Sequence, residues 1–486
     1  MKNGVMLQGF EWYVNADGGF YQWMTSQIEH YAQLGITAIW LPPFSKATSP
    51  FDVGYGVYDL FDLGEFDQKG EVRTKYGTKE QLLKLIETCH HFNISVYADI
   101  VLNHKAGADY SEVFKVVKVN PDNRLEEISE PYDIEGFTGF NFPGRQGKYS
   151  SFVWNFNHFT GVDYDHRSGE NAIYKILGDN KDWSDDVSYE KGNFDYLMFA
   201  DIDTSHPDVV GELLYYSDWL VNETGVDGYR LDAMRHINAK FMRDFVVHTY
   251  QNQKDDFYIF GEYWSSDLEK NRNFIEQTDH EIDLLDVGLH FNFHHASLEN
   301  EHFDLRQIFD NTILSMNPDK AVTFVDNHDS QPDQALSSWV EDWFKPLAYG
   351  LILLRKDGYP CIFFGDYYGI GGEHPIAGKG DMIDKMMLCR RSFAYGDQDD
   401  YFNHPNLIGW VRHGDQEHPY ASATLISNHE ESTLPMFVGT QYAGKEFSDY
   451  LGNHYDKVYI NEDGFGDFKV HGRNISCWVL DDTVVE

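Results

Sequence analysis

The sequence predicts an α/β protein: a (β/α)8 barrel of the TIM type, with a β-rich domain inserted after the third strand and an antiparallel β-domain at the C-terminal end. Three observations predict it. Eight short, nearly continuous apolar runs recur between residues 4 and 368, as expected of strands buried on both faces of a parallel sheet. Helix-period stretches separate several of them, the alternation that closes into a barrel. One gap, between the third and fourth runs, is far too long for a plain connection.

In order, the runs are GVMLQGF (4–10), ITAIWLP (36–42), SVYADIVL (95–102), VDGYRLD (226–232), FYIFGEYW (257–264), LLDVGLHF (284–291), AVTFVDN (321–327) and CIFFGDYY (361–368). TKEQLLKLIETCHHF places Leu82, Ile86 and Cys89 on one helical face, with Thr78 as N-cap. HPDVVGELLYYSDWLVNE (206–223) reads likewise. Residues 104–206 are rich in Gly, Asn, Asp and aromatics, with β-like pieces such as YSSFVWNF, and form the expected insert. After residue 396, ASATLISN, PMFVGT and KVYINEDGFGDFKVHG are short strands with turn signals between them. The expected division is 1–103 and 207–396 for the barrel, 104–206 for the insert and 397–486 for a C-terminal β-sandwich.

A formal charge of −41 argues against nucleic acid and anionic membrane as partners, since both need basic patches. Aromatic content of 16% allows for ring-shaped ligands, although most such residues serve a core. Cys89, Cys361, Cys389 and Cys477 lack CxxC spacing, so no zinc site is expected and buried free thiols in a reducing compartment are the favoured reading. No run of signal-peptide or transmembrane length is present, so a cytoplasmic monomer is expected.

In such barrels the chemistry sits at the C-terminal ends of the strands. The third run ends with Asp99, Asn103 and His104, the fourth with Arg230, Asp232, Arg235 and His236. The fifth ends with Glu262, the seventh with His328 and Asp329. In an extended strand Arg230 and Asp232 point to one face. A guanidinium keeps a neighbouring carboxylate ionised, which suits a nucleophile. Glu262 lies among Phe260, Tyr263 and Trp264, and apolar surroundings favour a protonated acid. That division of labour is the one retaining glycoside hydrolysis uses, with carboxyls roughly 5–5.5 Å apart. Asp329 is a third carboxylate, able to grip hydroxyls and to hold the acid protonated by repulsion. Singly, each residue has a plainer reading as an ion pair, a helix N-terminal acid or a backbone-bonded histidine. Their coincidence at one rim favours chemistry.

DIVLNH, GYRLDAMRH, FGEYW and FVDNHD resemble, in order and spacing, the four signature regions of the α-amylase family of retaining glycoside hydrolases, and LMFADID (197–203) resembles a fifth. LQGFEWY, DVGYGVYDLFDLGEF and VRTKYGT look like the bacterial liquefying subgroup. The resemblance implies Asp232 as nucleophile, Glu262 as general acid/base and Asp329 as transition-state stabiliser. It implies that Arg230 orients Asp232, that His104, His328 and His236 hydrogen-bond the sugar at the cut, that Tyr55 stacks on it, and that Trp264 and Arg235 hold leaving-side sugars. The implied substrate is an α-glucan polysaccharide or maltooligosaccharide, cut internally. An exo-acting α-glucosidase, an isomerase or a glucanotransferase on the same scaffold is the nearest alternative. A non-catalytic carbohydrate-binding barrel is disfavoured because all three carboxylates are present.

The resemblance also implies a structural Ca2+ joining barrel and insert through Asn103, Asp195, Asp201 and the carbonyl of His236. Two departures point to one ion per chain. Thr160, Ser184 and Ser205 stand where secreted relatives carry further carboxylates, and Asn406 and Asn428 stand where acids are expected between barrel and C-terminal domain. Arg235 replaces a lysine usual in the subgroup, and its planar fork is not equivalent to an ammonium.

Overall fold

Each of the eight apolar runs contributes a strand to one closed parallel barrel. The structure, a computed structural model, describes residues 3–481. The strands are β1 (Met6–Gln8), β2 (Ala38–Leu41), β3 (Ser95–Ile100), β4 (Gly228–Leu231), β5 (Tyr258–Gly261), β6 (Asp283–Leu285), β7 (Ala321–Phe324) and β8 (Tyr359–Phe363). β1 closes the ring by pairing with both neighbours, Met6 lying opposite Ala38 of β2 and Cys361 of β8. Nearly all of these strand residues are buried, which explains why the runs read as continuous rather than alternating.

Three of the stretches that read as β-structure pass early into a helix or turn. LLDVGLHF is strand only to Leu285, because the Asp286 side chain then accepts the Leu289 N–H at 3.1 Å and caps a helix over Val287–Glu299. CIFFGDYY is strand only to Phe363. Asp366 is drawn into a buried contact with Lys345 and Tyr349, and Phe364–Tyr368 turns into a short helix. YSSFVWNF contributes a single bridge, Trp154 to Phe140, and then Asn155 caps a 3-10 turn over Phe156–His158.

Between β3 and β4 the chain builds a seven-stranded antiparallel sheet. Its long strands are Tyr110–Asn120, Tyr132–Gly139, Phe159–Asp165 and Glu170–Ile176. Its edge matters most for the site: Ala200–Ile202 pairs with His104–Lys105, so the sheet is stitched directly onto the chain leaving β3.

From Gln398 onward, a six-stranded sheet carries a two-stranded ribbon, Ser432–Phe437 with Phe465–Val470. Val411, Leu425, Phe447 and Trp478 of the sheet pack against Met436 and Phe468 of the ribbon. This unit is fastened beneath the barrel. Arg355 grips Asp400 through two hydrogen bonds of 2.7 and 2.9 Å, and the Trp410 indole donates to Leu354 O at 3.1 Å. Gly350 permits the closest approach: a Cβ there would lie 2.1 Å from Ile475 Cδ1. Among the described residues no helix is long and apolar enough to cross a membrane.

Thr78 caps the helix Lys79–His91 as the sequence predicts. Its side chain accepts the Gln81 N–H while Gln81 accepts its own N–H at 2.8 Å. Thr78→Ala is expected to cost about 1 kcal/mol. The check is a lowered thermal midpoint with unchanged kcat.

Candidate active site

Strand register assembles the site. Asp99 of β3 lies opposite Arg230 of β4, and Leu231 lies opposite Gly261 of β5. The ladder runs on past the strand ends: Asp232 N donates to Ile100 O at 3.0 Å, and Glu262 N to Leu231 O at 2.9 Å. Asp232 and Glu262 therefore leave adjacent strands at the same level. Ala233, directly after Asp232, has a φ of 51°, an uncommon left-handed conformation for a residue with a Cβ, and it turns the chain sharply away. Met234 N then donates to Glu262 O at 3.0 Å, locking the two turns together.

Arg230 is completely buried and bonds three carboxyls. Nη1 donates to Asp232 at 2.6 Å and to both Asp99 oxygens at 3.0 and 3.1 Å, while Nη2 donates to Glu262. Asp99 is further held by the Trp40 indole and the Tyr55 hydroxyl, each at 2.9 Å. One positive charge cannot balance so many carboxyls. Burial raises Glu262 to about 8, against the lowering pull of Arg230 and with the help of Asp329, Asp232 and Asp99. Asp99 is raised to about 6, chiefly by burial. Asp329, whose side chain is about a quarter exposed, is also raised, by desolvation and by Asp232 and Asp99. Burial and mutual repulsion of these coupled carboxyls thus favour the protonated acid at the mouth, most strongly at Glu262.

Flat rings form one wall. Tyr55 and His328 stack with centroids 5.1 Å apart and planes 7° from parallel, and Trp12 lies parallel to both. The Gln8 amide donates to His328 Nδ1 at 2.9 Å, which leaves Nε2 as the N–H, 3.3 Å from Asp329. Burial lowers the pKa of His328 well below its ordinary value, and Arg230 reinforces it, so the ring is neutral. Gln8 and Trp12 were not foreseen as site residues.

The other two histidines are differently placed. His104 Nε2 donates to Tyr55 O at 2.8 Å while Nδ1 receives the Asn103 amide at 3.3 Å. His236 Nδ1 donates to Phe194 O at 2.7 Å while Nε2 receives Arg235 Nε at 3.3 Å, and burial with Arg235 lowers its pKa to about 3. Both rings spend their nitrogens on protein. Trp264 is buried against Phe324, His290 and Phe291, and its carbonyl accepts from Arg235 at 2.6 Å. Arg235 also lies over Phe194 and 3.6 Å from Glu190 of the insert. Beyond it opens a hollow of about 530 Å³ lined by Ser188, Tyr189, Glu190, Tyr263 and Lys270.

At the barrel–insert joint, Asp195 and Asp201 are buried within hydrogen-bonding reach of one another, and Asn103 donates to Asp201 at 3.3 Å. Burial raises both carboxyls, and for Asp201 the charge of Asp195 adds to it. Two buried carboxylates and an amide oxygen are hard donors of the type Ca2+ takes, so this set fits such an ion. The sites of the two departures are filled by protein groups. Thr160 donates to Asp201, Ser184 N–H to Asp195 at 2.9 Å, and Ser205 to Asp203 at 2.6 Å. Lys181 places its ammonium against Asp203 at 3.1 Å and Phe159 O at 2.9 Å. Asn428 donates to Asn300 O and Phe303 O, both at 2.9 Å, and Asn406 to Glu301 O at 2.7 Å.

A protonated carboxyl beside an ion-paired one, at a barrel mouth walled with flat rings, is the equipment of sugar-bond cleavage, and the class this fold and site define is the glycoside hydrolases. Residues 8–406 match the family described as "Alpha amylase, catalytic domain", and residues 423–479 match "Alpha-amylase C-terminal". An α-amylase of Geobacillus stearothermophilus is 49% identical, over 99% of this chain and 88% of that protein. The cytoplasmic α-amylase of Escherichia coli is 40% identical over the full length of both. A glucan 1,4-α-maltohexaosidase of a Bacillus species is 47% identical over 98% of this chain and 92% of that protein. The chain belongs to the α-amylase family. The barrel fold also matches the solved α-amylase of Geobacillus thermoleovorans, complexed with acarbose, at a TM-score of 0.66 and 20% identity, over 99% of this chain and 98% of that one.

Gly261 offers a test of the positioning. A Cβ there would fall 2.3 Å from the buried Met234 Cε and 3.1 Å from Leu231 O, whose carbonyl holds the Glu262 N–H. Gly261→Ala is expected to lower kcat on the order of 10²-fold, the scale of a 1 Å misplacement. Circular dichroism should show the fold retained.

Proposed function

We propose that the enzyme cuts internal α-1,4-glucosidic bonds of starch, glycogen or maltodextrins by double displacement. The observation that carries this reading is the sharing of Arg230 between Asp232 and a Glu262 held protonated. Asp232 attacks the anomeric carbon as Glu262 gives its proton to the departing glycosidic oxygen. A covalent glucosyl–enzyme results. Glu262, now ionised, takes a proton from water, and that water displaces Asp232 with net retention. Asp329 steadies the positive charge that develops at the anomeric centre.

Tyr55 and Trp12 cover the apolar face of the sugar at the cut, and His328 Nε2–H donates to one of its hydroxyls. His104 and His236 serve one step back, holding the Tyr55 loop and the insert. Arg235 and Trp264 shape the leaving side, whose hollow takes further glucose units. Asn103, Asp195, Asp201 and the His236 carbonyl would hold one Ca2+ per chain. Bound there, such an ion would supply hard positive charge to these residues and so tie the insert to the barrel over the cleft. The cytoplasm is the proposed compartment, supported by the cytoplasmic relative and by four buried free thiols, and a monomer the proposed state.

The test is a product time course on maltoheptaose. Mixed short oligosaccharides are expected from the first points. Asp232→Asn should reduce kcat on the order of 10³-fold or more, the scale of removing a covalent catalyst. Glucose alone would move the reading to an exo-glucosidase, and products longer than the substrate to a glucanotransferase.

The pH profile tests the proton economy. Glu262 acts as acid only while protonated, so kcat/KM falls as pH rises through its raised pKa. Removing the Asp329 charge weakens the upward push. Asp329→Asn should therefore shift the alkaline limb to lower pH, besides lowering the rate. An unmoved limb would sever the two groups.

Chelation by EGTA should lower the thermal midpoint more than the initial rate at low temperature. Equal losses would place the ion's influence at the catalytic carboxyls themselves.

A further inference from the structure

Far from the barrel mouth, three loops of the C-terminal unit bring Glu431, His454 and His471 together, with one candidate ligand atom of each within 4.8 Å of the others. Glu431 precedes the ribbon strand Ser432–Phe437, His471 follows its partner Phe465–Val470, and His454 lies beyond the strand Glu446–Asp449. The two imidazoles stack with centroids 4.4 Å apart and planes 17° from parallel, so the exposed His471 ring has to swing out of the stack for both to share one ion. His471 Nδ1 lies 3.3 Å from the Glu431 carboxylate, and both side chains are open to solvent.

His454 supplies the independent observation. It is only 8% exposed, and its Nε2 is buried with no hydrogen-bond partner. A buried polar atom left unsatisfied costs about 1–3 kcal/mol. The loop does not relieve it, because Asp449 pins the chain by accepting the N–H groups of Asn453 at 2.7 Å and His454 at 2.9 Å. The ring is braced by Trp478, 5.6 Å away. His454 Nδ1 receives only a long contact, 3.4 Å from Asp456 N, which is readily given up when Nε2 takes a ligand. The nearby Lys469 ammonium is paired with Asp456 at 2.5 Å and does not stand as a free positive charge against a cation.

We propose that Glu431, His454 and His471 bind a borderline divalent transition-metal ion of the Zn2+ type, which ties together three loops of the C-terminal unit. Two imidazole nitrogens and a carboxylate are the donor set such ions take, with water completing the tetrahedron. Ca2+ needs six to eight oxygens and does not match it. A second grouping, His158, His206 and Asp208, has the same residue types but no buried orphan nitrogen among them.

The test uses the full chain, stripped of metal and held in excess Ca2+ so that oxygen-donor sites are occupied. Equilibrium dialysis against Zn2+ is expected to show one ion per chain and a raised thermal midpoint. His471→Ala, a change at a half-exposed position, should weaken binding about tenfold or more, and Glu431→Gln should weaken it less. His158→Ala should leave it unchanged. Co2+ should give the absorption of a tetrahedral site in the wild type and not in His471→Ala. The proposal is overturned by absence of Zn2+ binding, by binding unchanged in His471→Ala, or by loss in His158→Ala alone. Hydrolytic activity is not the readout, so failure here leaves the catalytic reading untouched.

Discussion

The guanidinium of Arg230 is the charge around which the barrel mouth is arranged. It has no solvent exposure and no neutral escape, since an arginine side chain does not give up its proton in a protein. Burying such a charge is tolerable only with close anionic partners. Asp99 answers from β3, Asp232 from the same strand and Glu262 from β5. Three strands are therefore held in register by electrostatics as well as by their ladders. The partners outnumber the charge, and burial penalises each additional anion. A proton on Glu262 is the consequence, so the acid that the chemistry needs follows from the way the arginine is accommodated.

The joints between the three parts of the chain use a different economy. Where relatives are expected to carry acids, this chain has amides and hydroxyls, each of which completes a local hydrogen-bond set, and a lysine nearby adds its own. Asn428 alone reaches two carbonyls of the loop around Asn300, and Lys181 joins Asp203 to the Phe159 carbonyl. An ammonium or an amide forms such a bridge without depending on the concentration of a free ion. Asp195 and Asp201 are the contrast. Two carboxyls buried side by side, with Thr160, Asn103 and the Ser184 N–H as hydrogen-bond donors, have only the partial counter-charge of Arg124, and burial still raises both.

Much of this was legible in the sequence because the barrel is built from repeated local signals. Each apolar run marked a strand, and the polar residues ending the runs marked the mouth. Asp99 was visible at the end of its run, yet its part emerged only from the register that sets it opposite Arg230. Gln8 and Trp12 lie in LQGFEWY, in and just after the first run, a segment whose resemblance marks the subgroup but gives neither residue a role. They matter because closure of the ring brings β1 beside β8, with the loop after β7 close by, a contact spanning over 300 residues. The misread ends of the sixth and eighth runs share one cause. Asp286 and Asp366 each found a tertiary or capping partner that an apolar pattern does not reveal.

The histidines show why residue type and position are insufficient to assign a task. His104, His236 and His328 all sit at the rim, all are buried, and in all three desolvation lowers the pKa. What separates them is which nitrogen is already engaged. Gln8 can only donate from its amide nitrogen, so it fixes His328 with Nδ1 as acceptor and Nε2–H facing Asp329. His104 and His236 each have one nitrogen donating to a backbone carbonyl and the other accepting from the preceding side chain. A neutral imidazole has one donor and one acceptor, and theirs are both used. Only His328 keeps a donor turned toward the mouth. The difference traces to a glutamine at the end of the first strand, delivered to the site by closure of the barrel.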